Sequence, residues 1–205
     1  MKWEKTNALA PVSWDRMIRA VEKVRERLRR AVQTLEAAGI PYAVAGGNAV
    51  AAWVSRVDEA AVRNTRDVDI LLRRSDLDRA KEALEKIGFV YRHVASLGQP
   101  GGLDVFLDGP QASARDALHL VFAAEKVRSD SPVPAPDVTA SEQGDGFRVV
   151  TLEGLIRMKL AAFRDKDRTH LRDLIEVGLL TADMLKQIEP ELRHRLQSIF
   201  DTPEG

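Results

Sequence analysis

Arg66-Asp67-Val68-Asp69-Ile70-Leu71-Leu72 sets two carboxylates two residues apart inside an apolar run. In a strand, side chains at i and i+2 stand on one face, so Asp67 and Asp69 share a patch. Like charges held that close repel, and a divalent cation with oxygen ligands is the commonest reason to hold them. An edge strand turning its polar side to solvent gives the same pattern. Upstream, Pro41-Tyr42-Ala43-Val44-Ala45-Gly46-Gly47-Asn48 reads as a short buried strand, a double-glycine turn and a helix starting near Asn48. Bare amides at a helix N-terminus cradle phosphate. A tight turn or close helix–strand packing is the other reason for two glycines, and Asn48 is either a helix cap or a nucleotide contact.

Outward from this pair the chain alternates helical and extended patterns. Between Ser13 and Gly39, Trp14, Met17, Ile18, Val21, Val24, Leu28, Val32 and Leu35 recur at three- and four-residue steps, the mark of a long amphipathic helix. Strands are expected at 42–45, 67–72, 89–94, 103–107 and 117–123, with helices over 47–57 and 76–87 and turns around Pro100 and Asp108. Residues 129–146, polar and rich in proline and glycine, read as a surface loop that packs no core. A short strand at 147–150 and a helical region from Thr151 to Phe200, broken near Gly178 and Pro190, complete the chain. The expected class is α+β, an α/β mixed sheet of about five strands flanked by helices. Residues 1–128 form the head, and 147–205 an α-helical C-terminal region that contributes to the active-site cleft.

The 205 residues include 31 Lys and Arg and 31 Asp and Glu, a net charge of +0, so no global field draws the protein to nucleic acid or membrane. With no cysteine, disulfides, thiolate zinc sites and thiol nucleophiles are excluded. No apolar core of a signal peptide and no bilayer-length run is present, and the expectation is a cytoplasmic protein without membrane contact.

Ala45-Gly46-Gly47-Asn48 followed by Asp67-Val68-Asp69 resembles the signature of the DNA polymerase beta-like nucleotidyltransferase superfamily. The approach Arg63-Asn64-Thr65-Arg66-Asp67 and the later Leu155-Ile156-Arg157-Met158-Lys159 with His170-Leu171-Arg172-Asp173 look most like its AbiEii and MenT-type branch of toxins and abortive-infection proteins. The resemblance covers roughly residues 40–178. It implies a nucleotidyltransferase that moves a nucleoside monophosphate from an NTP to a hydroxyl of RNA (tRNA among them) or protein, with Mg2+ or Mn2+ on carboxylates and an antitoxin as a partner. Metal charge offsetting a triphosphate and stabilising in-line displacement agrees with that chemistry.

Carried over residue by residue, the resemblance implies Asp67, Asp69, His119, Lys159 and Asp173 for catalysis. Gly46, Gly47, Asn48, Thr65, Arg66 and Lys159 fall to the nucleotide, and Asp67 and Asp69 to the metal; Asp104, which alternation puts opposite the apolar Leu103, Val105 and Leu107 face, is the alternative third carboxylate for the metal. The departure is at Leu118-His119-Leu120-Val121-Phe122-Ala123, where a histidine stands in place of the family's third acid. A neutral imidazole accepts a proton but brings no negative charge and suits Mn2+ or Zn2+ better than Mg2+. Three alternatives stay open: His119 in the site, Asp104 as third carboxylate, or two acids alone. For Lys159 the plain alternative is a snorkelling or solvent-facing helix residue. The run Arg164-Asp165-Lys166-Asp167-Arg168 reads as a solvated helix end, His93 and His194 as surface positions, and Trp3, Trp14 and Trp53 as packing residues. A fold-back near 167–169 is needed to bring Asp173 to Lys159. The rival reading is a catalytically degenerate relative that keeps the fold and binds a nucleotide or a protein partner.

Overall fold

The computed structural model describes residues 11–96, 99–113 and 117–203; Trp3 lies outside them. The chain begins with α1 (Trp14–Ala37), built of strong helix formers with its apolar stripe inward from Ala31, Val32 and Leu35. There follow β1 (Tyr42–Ala45), α2 (Gly46–Ser55), β2 (Val68–Leu72), α3 (Leu77–Glu85), β3 (Val90–Ser96), β4 (Gln99–Leu107) and β5 (Ala117–Phe122). The C-terminal part adds β6 (Ser141–Gln143), β7 (Arg148–Val150), α4 (Leu152–Ala162), α5 (Asp165–Glu176) and α6 (Pro190–Asp201). Among the described residues no helix is long and apolar enough to cross a membrane.

The class is α+β as expected, with a sheet of seven strands in the order β3-β4-β5-β2-β1-β7-β6. β2 lies between antiparallel β1 and parallel β5, and β7 joins β1 in parallel through Val44 and Val149. The extra width comes from the β6–β7 hairpin on the far edge. β6 is only Ser-Glu-Gln, too short and polar for any alternation to announce it. Pro100 and its two glycines belong to β4 rather than to a turn.

Alternation along β1 and β2 divides the core between the two sheet faces. Val44, Val68, Ile70 and Leu72 pack with α1 and α3, through Leu35, Ala80 and Leu84 among others. Ala43, Ala45 and Leu71 pack on the other side with α2, α4, α5 and α6. The register Ala43↔Leu71 and Ala45↔Asp69 puts Asp69 on this second face, at the open end of the strands. Trp53 fastens α2 to the sheet, its indole N–H donating to the Val150 carbonyl at 3.0 Å in a fully buried bond.

The expectation for residues 129–146 is corrected. Ala135 and Val138 are 5% and 3% exposed and belong to the core beneath α2 and α4. Arg73 holds the segment down with a two-pronged bond to Asp137, at 2.7 and 3.0 Å. Proline and glycine content reported the lack of repetitive backbone correctly, but not which of its apolar side chains turn inward. Val138→Ala should therefore destabilise the fold by about 2 kcal/mol, the cost of two buried methyl groups and the gap they leave, measurable as a lower midpoint in urea unfolding.

Candidate active site

The helix α2 starts directly at Gly46, with Ala45 at its N-cap, so the diglycine bend is the first turn of the helix itself. Gly46 has φ +64, and a Cβ built on it would lie 1.7 Å from Asp69 Oδ2. The Asp69 carboxylate thus occupies the space a side chain at 46 would fill. A Cβ on Gly47 would meet the Thr65 hydroxyl at 2.8 Å. Both glycines are bare because β2 and the segment before it press against the bend.

Asn48 does not cap its helix. Its side-chain amide donates to the Asp67 carbonyl at 2.8 Å, stitching α2 to the start of β2. The Asp67 carboxylate is more open and lies 3.4 Å from Lys166 Nζ of α5. In β5, His119 stands in register with Asp69, its Nδ1 3.9 Å from Asp69 Oδ1. Parallel pairing explains this contact, since paired residues share a face.

Lys159 is buried in α4 at 4% exposure, where a solvent-facing position was the plain alternative. Its ammonium donates to Asp167 Oδ1 at 3.1 Å. Burial pulls the lysine below its ordinary value, against the raising influence of Asp167 and Asp69. Asp167, 1% exposed, is the residue that sequence reasoning misplaced when it took 164–168 for a solvated end. It accepts from the backbone N–H and from Nε of Arg164, at 3.2 and 2.7 Å. Burial pushes the Asp167 carboxyl up, but the Arg164 hydrogen bond and the Lys159 charge outweigh it and hold it below the usual carboxylate range. Position three of a helix is where an acid reaches back to the N-cap amide, so the spacing from Arg164 carried a usable signal.

The fold-back occurs at Phe163, which ends α4 with φ 48, a few residues before the expected place. It delivers Asp167, not Asp173, to Lys159. Asp173, 5% exposed, is held instead by Arg63, whose Nε lies 2.9 Å from both carboxylate oxygens. Asp104 sits one position off the row of Asp69, His119 and Val105. Its carboxylate accepts the Tyr91 hydroxyl and lies 3.0 Å from His93 Nδ1.

These groups surround a cleft of about 300 Å3, lined by Gly46, Asp67, Asp69, Arg66, Lys159 and His170 among others. Arg66 makes no hydrogen bond or ion pair among the described residues. His170 stays neutral, because burial and then the nearby Lys159 charge lower its imidazole to about 4. Among the described residues no group of three or more histidine and acidic side chains is gathered for a metal ion. Two carboxylates nevertheless fit Mg2+ or Mn2+, since such ions are commonly held by one or two acids and completed by substrate phosphates and water.

A sequence family model described as an uncharacterised nucleotidyltransferase matches residues 13–130. No curated protein matches the chain. Among solved structures, ANT(2'')-Ia in complex with adenylyl-2''-tobramycin is 15% identical, with a TM-score of 0.51 over 85% of this chain and 97% of that one. The solution structure of the antibiotic-resistance factor ANT(2'')-Ia gives 14% identity and a TM-score of 0.49, covering 93% and 96%. The lincomycin-bound lincosamide adenylyltransferase LnuA gives 12% and 0.42, covering 82% and 100%. At such identities the likeness is one of fold.

Two outcomes follow from this geometry. Gly46→Ala should cost at least about 2 kcal/mol, since left-handed backbone alone disfavours a side chain by about 1–2 and the new carbon displaces Asp69; thermal unfolding measures it. Between the ordinary histidine value of 6.5 and about 4, the unfolded chain binds a proton at His170 that the folded one refuses. This contribution is fully present above that window and is lost as pH falls through it. His170→Gln should make the decline in stability shallower there, as read from urea midpoints against pH.

Proposed function

The chain belongs to the nucleotidyltransferase family matched over residues 13–130, and on that premise we propose that it transfers a nucleoside monophosphate from an NTP to a hydroxyl acceptor. The observation that carries the reading is the Asp69 carboxylate seated against Gly46, on the same face as Asp67 and at the mouth of a cationic cleft. Asp67 and Asp69 would hold Mg2+ or Mn2+, which when bound supplies charge to offset the triphosphate and its developing negative charge.

The rest is work for the chain itself. The amides of the diglycine turn receive a phosphate at the helix N-terminus. Arg66 and Lys159 balance the departing pyrophosphate, and Thr65 is set beside Gly47 to touch the same phosphates. Arg63, fixed by Asp173, steadies the segment that presents Thr65 and Arg66, so Asp173 acts in this reading as a positioning residue. His119, in register with Asp69, accepts the hydroxyl proton. Asp104 is turned to Tyr91 and His93 and has no part in holding the ion in this reading.

The AbiEii and MenT-type resemblance implies a toxin-like role with an antitoxin as partner and a cytoplasmic place of work, which a cysteine-free chain suits, and, taken alone, tRNA or protein as the acceptor. A second reading, a non-catalytic relative binding a nucleotide or a protein, is favoured by one observation: a histidine rather than a third acid stands beside Asp69.

The two readings divide in a label-transfer assay with α-labelled NTPs and Mn2+. Asp67→Asn and Asp69→Asn should each lower transfer on the order of 1000-fold, equivalent to about 4 kcal/mol of transition-state stabilisation. NTP binding without transfer to any acceptor decides for the second reading.

A further inference from the structure

We propose that a second hollow, opening where β4 parts from β5, is the acceptor site, and that it takes a compact hydroxylated molecule rich in hydrogen-bond donors and free of phosphate. The inference rests on the transferase reading and names the substrate class of the same site. Among the described residues β4 pairs with β5 at Val105↔His119, Phe106↔Leu118 and Leu107↔Ala117 and no further. Beyond His119, β5 continues beside β2 as far as Leu72↔Phe122, while β4 stays with β3. The sheet therefore forks. Leu103 and Asp104 lie on one tine, Leu120 and Phe122 on the other, and His119 sits at the base.

A hollow of about 460 Å3 lies in this fork and reaches Asp67 and Asp69, and Gly46 and Gly47 are not part of its lining. Two hollows that meet at one pair of carboxylates are what a two-substrate transfer requires: each substrate has its own wall, and the reacting atoms meet at the junction. In the transfer, the acceptor hydroxyl oxygen bonds to the α-phosphorus as the bond from that phosphorus to the bridging oxygen breaks. Pyrophosphate leaves on the diglycine side, and the hydroxyl proton passes to His119.

The lining selects the chemistry. Leu103, Leu120 and Phe122 give apolar walls, and the volume is that of a pocket for a small molecule rather than a groove for a polymer. Glu125 is locked by Arg74 through two bonds of 2.7 Å, and the Arg74 guanidinium lies 3.6 Å from the centre of the Phe122 ring. Asp104 is fixed by Tyr91 and His93. Two carboxylates held in place accept hydrogen bonds from hydroxyl or amino groups and repel a phosphodiester backbone. An RNA acceptor depends on lysine and arginine contacts to its phosphates, whereas of the four basic side chains lining the hollow Arg74 is committed to Glu125, Arg164 to Asp167 and Lys166 to Asp67, which leaves Lys126.

The test uses the full chain with α-labelled NTPs, Mn2+ and a cell extract separated into metabolites, RNA and protein. Label is expected in the metabolite fraction. Leu103→Trp, which fills the fork, should cut that labelling about tenfold or more while calorimetric NTP binding stays within about twofold. Asp104→Asn, close to isosteric and so safe for the fold, should raise the acceptor KM and leave the NTP KM unchanged. Label appearing in RNA or protein instead overturns the acceptor class. Unchanged labelling in both variants, or loss of NTP binding together with it, overturns a separate hollow. Wild-type protein that binds no NTP overturns the transferase reading itself, a failure seen before any acceptor is added. Bound NTP with no transfer to any fraction removes the acceptor site along with catalysis.

Discussion

The site depends on a carboxylate seated where a side chain is missing. Asp69 can stand against the first turn of α2 only because residue 46 has no Cβ, and β1 delivers Gly46 there because Ala45 pairs with Asp69. Antiparallel pairing of β1 with β2 thus sets the acid and the amides of the helix start side by side, without a long loop to position either. Parallel pairing of β2 with β5 then adds His119 on the same row. Three chain segments far apart in sequence meet through backbone register alone, which is stiffer than any arrangement of side chains on loops.

Much of this arrangement was legible in the residues. Short apolar runs bounded by turn residues placed β1, β2 and β5, and the two glycines before a helix marked the bend. The helix α1 emerged close to its observed bounds, although Trp14, Met17 and Ile18 of its expected apolar stripe are exposed. What was not legible concerns partners rather than elements. Lys159 and Asp173 were readable as a helix lysine and a later aspartate, but which acid meets the lysine depends on where the helix breaks. The break falls at Phe163, a residue with no intrinsic taste for left-handed backbone, so tertiary packing rather than local chemistry ends α4 there. Asp167 was hidden for a related reason. Four charged neighbours suggested solvent, while the side chain of the fourth residue in the run turns in. The buried apolar residues of 129–146 were obscured likewise, since irregular backbone has no period from which an inward face can be read.

The α4–α5 hairpin shows why burial of charge is tolerated here. A lone ammonium at the depth of Lys159 would be strongly disfavoured, and a lone carboxylate at Asp167 equally so. Placed 3.1 Å apart, with Arg164 sharing the acid, each offsets part of the cost of desolvating the other. Such a pair adds little net stability compared with apolar side chains of the same size. It keeps a positive charge inside a water-poor cleft, where its field acts at nearly full strength on whatever anion arrives.

Most of the cleft's cations have a carboxylate partner: Lys159 and Arg164 share Asp167, and Lys166 faces Asp67. Arg66 is the exception among the described residues. A free triphosphate entering this balanced array would meet Asp67 and Asp69 as well as the cations, and would be repelled by the very acids that define the site. A triphosphate that carries its own divalent cation meets the same acids as ligands. Under the proposed transfer, this charge pattern would favour the metal-bound nucleotide over the bare one. On the same reading Lys166, 3.4 Å from Asp67, would be the cation most readily turned to a phosphate once that acid is otherwise engaged.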